Sequence, residues 1–273
     1  MKVAAYQAPL RVTSLAEVIG VIREQIDRCE SEGMEILCCP EGFLGGLADY
    51  ANHPTDIAVD VEAGQLDALL APLASDRVAI ILGFTEIDRG GRLYNSAVVF
   101  HKGSVIDIYH KLYPAINKSV YEARDKMPVF TVGGLTFGIL ICNDSNYYEP
   151  ARIMASRGAA ALFVPTNNGL PRGKAGPELV ALSRSVDIAR AVENSVYVIR
   201  ADVAGGAGGL VSHGSSGIVD PNGAVLRTAR QLGPEVIVAD IKPAPRGLRR
   251  GWDASRNGDV MDEYLRLMTE TRV

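Results

Sequence analysis

Three reactive side chains sit just beyond runs of apolar residues in this chain. Cys142 follows Phe137-Gly138-Ile139-Leu140-Ile141 and opens the polar cluster Asn143-Asp144-Ser145-Asn146. Glu41 follows Ile36-Leu37-Cys38-Cys39-Pro40, and Lys111 follows Val105-Ile106-Asp107-Ile108-Tyr109-His110. A buried strand that delivers a functional group to the rim of a sheet reads this way. A thiol, a carboxylate and an ammonium so placed supply a nucleophile, a proton carrier and a cation for a developing oxyanion, which is a complete set for acyl transfer. Each alone has a plainer reading: a buried cysteine is a small hydrophobe, Glu41 a loop charge, Lys111 a solvated side chain. The shared placement sets them apart, and the apolar flanks of Glu41 suit a carboxyl whose pKa burial would raise.

Other chemistries fit less well. The four histidines, His53, His101, His110 and His213, lack metal-ligand spacing, and no cysteine pair has zinc spacing, so no metal is expected. Gly205-Gly206-Ala207-Gly208-Gly209 lacks the spacing of a dinucleotide loop, and Gly173-Lys174 is followed by Ala175, where a phosphate loop needs Ser or Thr. Both read as turns. A cysteine–histidine hydrolase using His213 stays open, because sequence does not show which side chains converge.

The elements that must position these groups alternate along the whole chain. Lys2 to Gln7 reads as a strand. Ser14 is a plausible N-cap for a helix with Leu15, Val18, Ile19, Ile22 and Ile26 on one face, stopped near Gly33. A strand ends at Glu41, a helix covers Gly64 to Ala74, and a strand covers Val78 to Phe84. Tyr94–Phe100 and Ser104–Tyr109 form a hairpin across Lys102-Gly103, and Val129–Thr131 pairs with Leu135–Cys142 across Gly133-Gly134. Pro150 suits the first turn of a helix to Arg157. Ala160–Val164 is a strand, and Glu178–Glu193 a helix with Leu179, Leu182, Val186, Ile188 and Ala189 near its buried stripe. Strands at Val196–Arg200, Ser216–Val219, Ala224–Arg227 and Glu235–Ile241 follow, with Asp220-Pro221-Asn222-Gly223 as turn chemistry. The pattern implies a single α/β domain over residues 1–273, with one large sheet or two packed sheets covered by helices, and residues 243–273 as a C-terminal tail.

Hydrophobic residues make up 47% and charged residues 22% of the 273 residues, as in an ordinary globular protein. The formal net charge of −4 argues against a nucleic-acid or membrane-surface role. The one basic stretch, Lys242 to Arg250 with Arg246 and Arg249, reads as a solvated tail segment or a subunit contact. Met1 to Gln7 is too short and polar for a signal peptide, and no apolar run reaches about 18 residues. A cytoplasmic enzyme with reduced thiols is the expectation.

The chain resembles the nitrilase, or carbon–nitrogen hydrolase, superfamily from about Lys2 to Ile241. The resemblance is carried by Val3-Ala4-Ala5-Tyr6-Gln7, Pro40-Glu41-Gly42-Phe43, His110-Lys111-Leu112-Tyr113-Pro114, Gly138-Ile139-Leu140-Ile141-Cys142-Asn143-Asp144 and Arg190-Ala191-Val192-Glu193-Asn194. It implies a four-layer αββα sandwich of two mixed sheets covered by helices. It also implies a Glu41–Lys111–Cys142 triad, a homodimer or higher homo-oligomer, and no cofactor. Many members carry a second buried glutamate between the lysine and the cysteine. Glu122, in Val120-Tyr121-Glu122-Ala123-Arg124, falls about there and would position Lys111 or the substrate, although its segment lacks the usual Pro-Gly.

The expected reaction is hydrolysis of a nonpeptide C–N bond through a thioester on Cys142, with Glu41 shuttling protons and Lys111 and the Asn143 N–H holding the oxyanion. Asn143-Asp144 resembles amidase and carbamoylase branches, where nitrilases usually have Trp-Glu. Ser145 and Asn146 replace the arginines with which carbamoyl-amino-acid hydrolases tend to grip a carboxylate, and neutral residues make no bidentate clamp. A small aliphatic amide is therefore favoured as the substrate, with an N-carbamoyl amine or amino acid as the alternative should Arg152 or Arg172 supply a cation. Phe43, Tyr113, Asn146, Tyr147, Asn167 and Asn168 are expected in the pocket lining. An inactive binding or scaffold subunit with the same fold is the reading of another class.

Overall fold

A computed structural model of the chain describes residues 1–10, 15–115, 119–174 and 176–242, together with 260, 262, 263 and 266. The Ser14 cap and the tail with Arg246, Arg249 and Arg250 lie outside the described residues. In chain order the regular elements begin with β1 (Lys2–Pro9), α1 (Leu15–Glu32), β2 (Ile36–Cys38), β3 (Val59–Asp60), α2 (Gln65–Leu70), β4 (Ala79–Ile87), β5 (Leu93–His101) and β6 (Ser104–His110). The second half holds β7 (Phe130–Val132), β8 (Leu135–Ile139), α3 (Tyr148–Ser156), β9 (Ala161–Pro165), β10 (Leu170–Pro171) and α4 (Pro177–Asn194). It closes with β11 (Tyr197–Ala201), β12 (Val203–Ala207), β13 (Leu210–Ser212), β14 (Gly217–Val219), β15 (Val225–Thr228) and β16 (Glu235–Asp240).

These strands form two mixed sheets. One runs β10-β13-β12-β1-β2-β4-β5-β6, with β16 beside β1 and β3 beside β4; the other runs β15-β14-β11-β9-β8-β7. Side chains of a strand alternate between faces, and that alternation builds the layers. Val3, Ala5, Ile36, Cys38, Ala79, Ile81, Ala97 and Val99 face the second sheet and share one core with Phe137, Ile139, Phe163, Val198 and Ile199. Ala4, Tyr6, Ala8, Leu37, Ile80, Leu82, Val98 and Phe100 face the other way, onto Val18, Ile22, Ile26 and Cys29 of α1 and Leu66 and Leu70 of α2. Ala151 and Met154 of α3 and Ala191 of α4 close the far side of the second sheet. The αββα sandwich follows.

The hairpin across Lys102-Gly103 is present, both residues taking positive φ (52° and 72°), as a two-residue turn between twisted strands requires. Several expectations need correction. The strands before Glu41 and Cys142 end earlier, at Cys38 and Ile139, so only Lys111 directly follows its strand. The helix expected over Gly64–Ala74 is α2 and then a 3-10 turn, Ala71–Leu73, because Pro72 supplies no N–H. The Gly205–Gly209 stretch is more than a turn: Gly205, Gly206 and Ala207 are the β12 residues that pair with β13.

Helix α4 departs most from its sequence pattern. Its buried residues are Ser183, Asp187, Arg190, Ala191 and Asn194, while Leu182 is 57% exposed. A polar stripe faces the protein because it has polar work there: Asp187 pairs with Arg200, and Arg190 holds the turn that carries Cys142. Among the described residues no helix is long and apolar enough to cross a membrane.

Candidate active site

β1, β2 and β4 are parallel in one sheet, and β8, β9 and β11 in the other. Ligands of α/β sheets collect beyond the carboxyl ends of such strands. Glu41 lies beyond β2, Cys142 beyond β8 and Asn167 beyond β9, while Lys111 leaves β6 at the same rim.

Glu41 is 2% exposed and Lys111 4%. The Lys111 ammonium donates to Glu41 Oε1 at 2.6 Å. Asn95 Nδ2 donates to the same oxygen at 2.8 Å, and the Asn167 backbone N–H donates to Oε2 at 3.0 Å. Burial opposes the charge on Lys111, but the charges of Glu41, Cys142 and Asp144 outweigh it and raise the pKa above its ordinary value. The lysine is therefore held as a cation.

Cys142 opens a 3-10 turn, Cys142–Asn146, with φ of 46°. A non-glycine residue held there costs about 1–3 kcal/mol and persists only where its surroundings over-determine it. They do here. Asp144 Oδ2 accepts the Ile141 N–H at 3.1 Å, Ser145 Oγ donates to the Cys142 carbonyl at 2.7 Å, and Arg190 donates to the Ser145 and Asn146 carbonyls at 2.9 and 3.0 Å. The thiol is half-buried, and its hydrogen-bond acceptor is Asn168 Oδ1 at 3.9 Å. Burial and then the charge of Glu41 push its pKa up to about 12, against the pull of Lys111 and Arg200. The Cys142 thiol is thus neutral at rest, under the charges of Glu41 and Lys111.

Asp144 ties the lysine loop to the turn that opens at Cys142. It accepts from Leu112 N at 3.1 Å, Tyr113 N at 2.9 Å and Tyr109 Oη at 2.8 Å, besides Ile141 N. Burial pushes its carboxyl up to about 6, against Lys111 and these donors. Arg200, 2% exposed, makes a bidentate contact with Asp187 and donates to Thr166 Oγ1 at 2.8 Å and Ser145 Oγ at 3.0 Å.

The expected pocket residues divide into groups. Asn167 clamps Glu41 and Asn168 meets the thiol. Asn143 donates to the Tyr113 carbonyl at 3.1 Å and accepts from Asn146 at 2.9 Å, and Tyr147 stacks on Tyr113 at 3.7 Å between ring centroids. Phe43 meets Tyr6 edge-on and packs against the α1 side of the core. The buried glutamate expected at Glu122 is not there, because Glu122 is exposed and its charge acts on Arg92. Its neighbour Tyr121 turns inward, taking the Ala48 N–H at 2.7 Å and pairing with Thr85, and in extended chain the next side chain faces the other way. His213 is not the hydrogen-bond partner of the thiol. It lines a small cleft with Asn168, Asp202 and Ser212, and its Nδ1 is buried without a partner.

Asn95, Tyr50, Arg200 and Asp202 were missed. Tyr50 is half-exposed, and burial and then the charge of Asp49 raise its phenol's pKa, with Glu41 and Cys142 adding to the effect. Arg200 and Asp202 carried a legible signal, since a charge inside an apolar strand run must find a partner.

Residues 2–249 match the carbon–nitrogen hydrolase family, and the chain belongs to it. The chain is 30% identical over 231 residues to an (R)-stereoselective amidase of a Pseudomonas species, covering 83% of this chain and 80% of that protein. It is 31% identical over 245 residues to a nitrilase of Pyrococcus abyssi, covering 88% and 89%. A cysteine-to-alanine mutant of the Nesterenkonia AN1 amidase, from the nitrilase superfamily, superposes with a TM-score of 0.77 at 25% identity, covering 97% of each chain.

Proposed function

We propose that this protein hydrolyses a small aliphatic amide through a thioester on Cys142. The observation that carries the reading is the buried 2.6 Å contact of Lys111 with Glu41, whose charges both act on the half-buried thiol of Cys142. Glu41 takes the thiol proton as sulfur attacks the substrate carbonyl carbon. Lys111 and the Asn143 N–H hold the oxyanion; one such donor is typically worth ~10²–10³ in rate. Glu41 returns the proton to the departing nitrogen as the C–N bond breaks, releasing ammonia and leaving the acyl group on sulfur. It then takes a proton from water, whose oxygen attacks the thioester. The C–S bond breaks, the sulfur recovers its proton, and a carboxylic acid leaves.

Two amidases among the similar proteins favour this substrate class. Against the N-carbamoyl alternative, Ser145 and Asn146 are neutral and spend their side chains on the Cys142 carbonyl and Asn143, and the buried Arg190 and Arg200 are already engaged, so that reading needs its cation from Arg152 or Arg172. The same buried network speaks against an inert scaffold. We further read residues 1–273 as one domain, cytoplasmic and with no cofactor, nucleic-acid or membrane partner. Assembly into a homodimer or larger oligomer is supported by Leu182, which α4 turns outward.

The test is ammonia release by purified protein across amides, ureido acids and nitriles, with Cys142→Ala alongside. Amides are expected to be hydrolysed, and the variant to fold and be inactive. Normal release by Cys142→Ala would remove the nucleophile from the proposal.

A further inference from the structure

Behind the nucleophile lies a buried polar cluster that the mechanism above does not use. Asp202 is fully buried and receives five hydrogen bonds: from Asn168 N at 3.0 Å and Nδ2 at 3.1 Å, Val203 N at 2.8 Å, Ser215 N at 2.9 Å and Ser215 Oγ at 2.7 Å. Asn168 Nδ2 also donates to Ser215 Oγ at 3.2 Å. A carboxylate only accepts, and the Ser215 hydroxyl has already given its proton to Asp202. Both neighbours therefore demand an N–H from Asn168. The NH₂ end of its amide is locked toward them, and the carbonyl oxygen Oδ1 is left facing Cys142 Sγ.

We propose that Asn168 Oδ1, aimed by Asp202 and Ser215, accepts an N–H from the nitrogen that leaves, and so selects substrates bearing one over esters of the same acyl group. The inference rests on the thiol attack proposed above. At rest the thiol supplies the hydrogen for Oδ1. Once that proton passes to Glu41 the oxygen loses its donor, and a half-buried acceptor left unpaired is costly. In a near-attack complex the carbonyl carbon lies about 3–3.5 Å from the sulfur. The nitrogen it carries then falls near an acceptor 3.9 Å from that sulfur. An ester oxygen has no hydrogen to give. Sites built to bind a substrate N–H discriminate strongly against analogues that lack it, because the site's own group goes unsatisfied. Asn168 thus touches the reacting atoms, whereas Asp202 and Ser215 are positioning residues.

The experiment compares wild type, Asn168→Leu and Ser215→Ala on a primary amide and the methyl ester of the same acid. Asn168→Leu keeps the shape and leaves Asp202 four donors. It should lower kcat/KM for the amide about tenfold or more beyond any change for the ester, and Ser215→Ala should shift the ratio the same way by less. A second arm needs no turnover: Cys142 is alkylated with iodoacetamide, which carries N–H, and with methyl iodoacetate, which does not. The rate ratio should fall in both variants. If wild type hydrolyses no amide, the functional proposal fails while the alkylation ratio still decides this one. Equal losses on amide and ester, or an alkylation ratio unmoved by Asn168→Leu, would overturn the role of Asn168, since a merely structural residue moves both members of each pair together.

Discussion

Lys111 Nζ lies 2.6 Å from Glu41 Oε1, with the two side chains only 5% and 3% exposed. A buried ion pair of this kind is a poor stabiliser, because desolvation consumes most of its Coulomb energy. Its worth lies in what each partner does to the thiol beside it. Glu41 raises the Cys142 pKa and Lys111 lowers it. In the proposed reaction this keeps the Cys142 thiol protonated at rest, with Glu41 at hand to take its proton.

Glu41→Gln separates these effects. Loss of the proton carrier should reduce amide turnover by ~10²–10⁴. The Cys142 thiol is held at about 12 by burial first and the Glu41 charge second. Removing that charge should lower the thiol pKa, so the labelling rate with N-ethylmaleimide should begin its rise at lower pH than in wild type. Stopped-time alkylation with mass mapping of Cys142 checks this; a profile unmoved or moved to higher pH contradicts the electrostatic account.

Much of this site was legible in the sequence because short-range patterns carried it. The ends of apolar runs marked Glu41, Lys111 and Cys142, and Lys102-Gly103 marked a hairpin through backbone sterics alone. What failed depended on contacts far apart in sequence. Apolar periodicity put Leu182 inside, yet α4 buries Asp187, whose partner Arg200 lies on β11. Glu122 fell at a family position, but its facing was decided by Tyr121, which closes on Ala48 and Thr85. Asn95 grips Glu41 from β5, 54 positions away, and nothing local announces that contact.

Gly83 sets the position of Glu41 by close approach. A β-carbon there would lie 2.5 Å from Gly42 N, 2.6 Å from the Pro40 carbonyl oxygen and 2.7 Å from Glu41 Cα. All three are backbone atoms and no rotamer relieves them. Gly83→Ala should displace the Glu41 turn and cost on the order of 10²-fold in kcat, the penalty of misplacing a catalytic group by ~1 Å. Gly20→Ala in α1, where a β-carbon meets nothing within 4 Å, should leave activity unchanged and raise stability by about 0.5–1 kcal/mol. Thermal unfolding and steady-state rates on both variants test the contrast, and a fully active Gly83→Ala would refute it.

Asp187→Asn should be far more damaging than its size suggests. Asp187 is fully buried and accepts both the Nε and Nη2 hydrogens of Arg200. Removing one member of a buried pair typically costs about 3–5 kcal/mol, because the other charge remains without compensation. Denaturant unfolding should register that loss. The double variant Asp187→Leu with Arg200→Met should recover part of the stability without recovering activity, because Thr166 and Ser145 also lose the guanidinium that orients them. If the double variant is no more stable than Asp187→Asn, the uncompensated charge of Arg200 is not the cause, and the loss lies with Arg184, whose Nη1 is 3.5 Å from Asp187 Oδ2.

Asp144→Asn tests whether the lysine loop and the nucleophile turn are held as one piece. Oδ1 takes the Leu112 and Tyr113 amides, and Oδ2 takes Tyr109 Oη and the Ile141 amide. Three of the four neighbours are backbone N–H groups, so the NH₂ of asparagine faces two obligate donors if it turns to Leu112 and Tyr113, and the Ile141 N–H if it turns the other way, where the Tyr109 hydroxyl can rotate to accept. A buried donor left unsatisfied costs about 1–3 kcal/mol, and the orphaned side would be either the Lys111 loop or the turn before Cys142. The variant should lose stability by that order in denaturant unfolding, and lose turnover as well. Tyr109→Phe removes a single donor and should be much milder in both. Should Asp144→Asn match wild type in midpoint and rate, the two loops are positioned independently, and the left-handed backbone of Cys142 must be held by Ser145 and Arg190 alone.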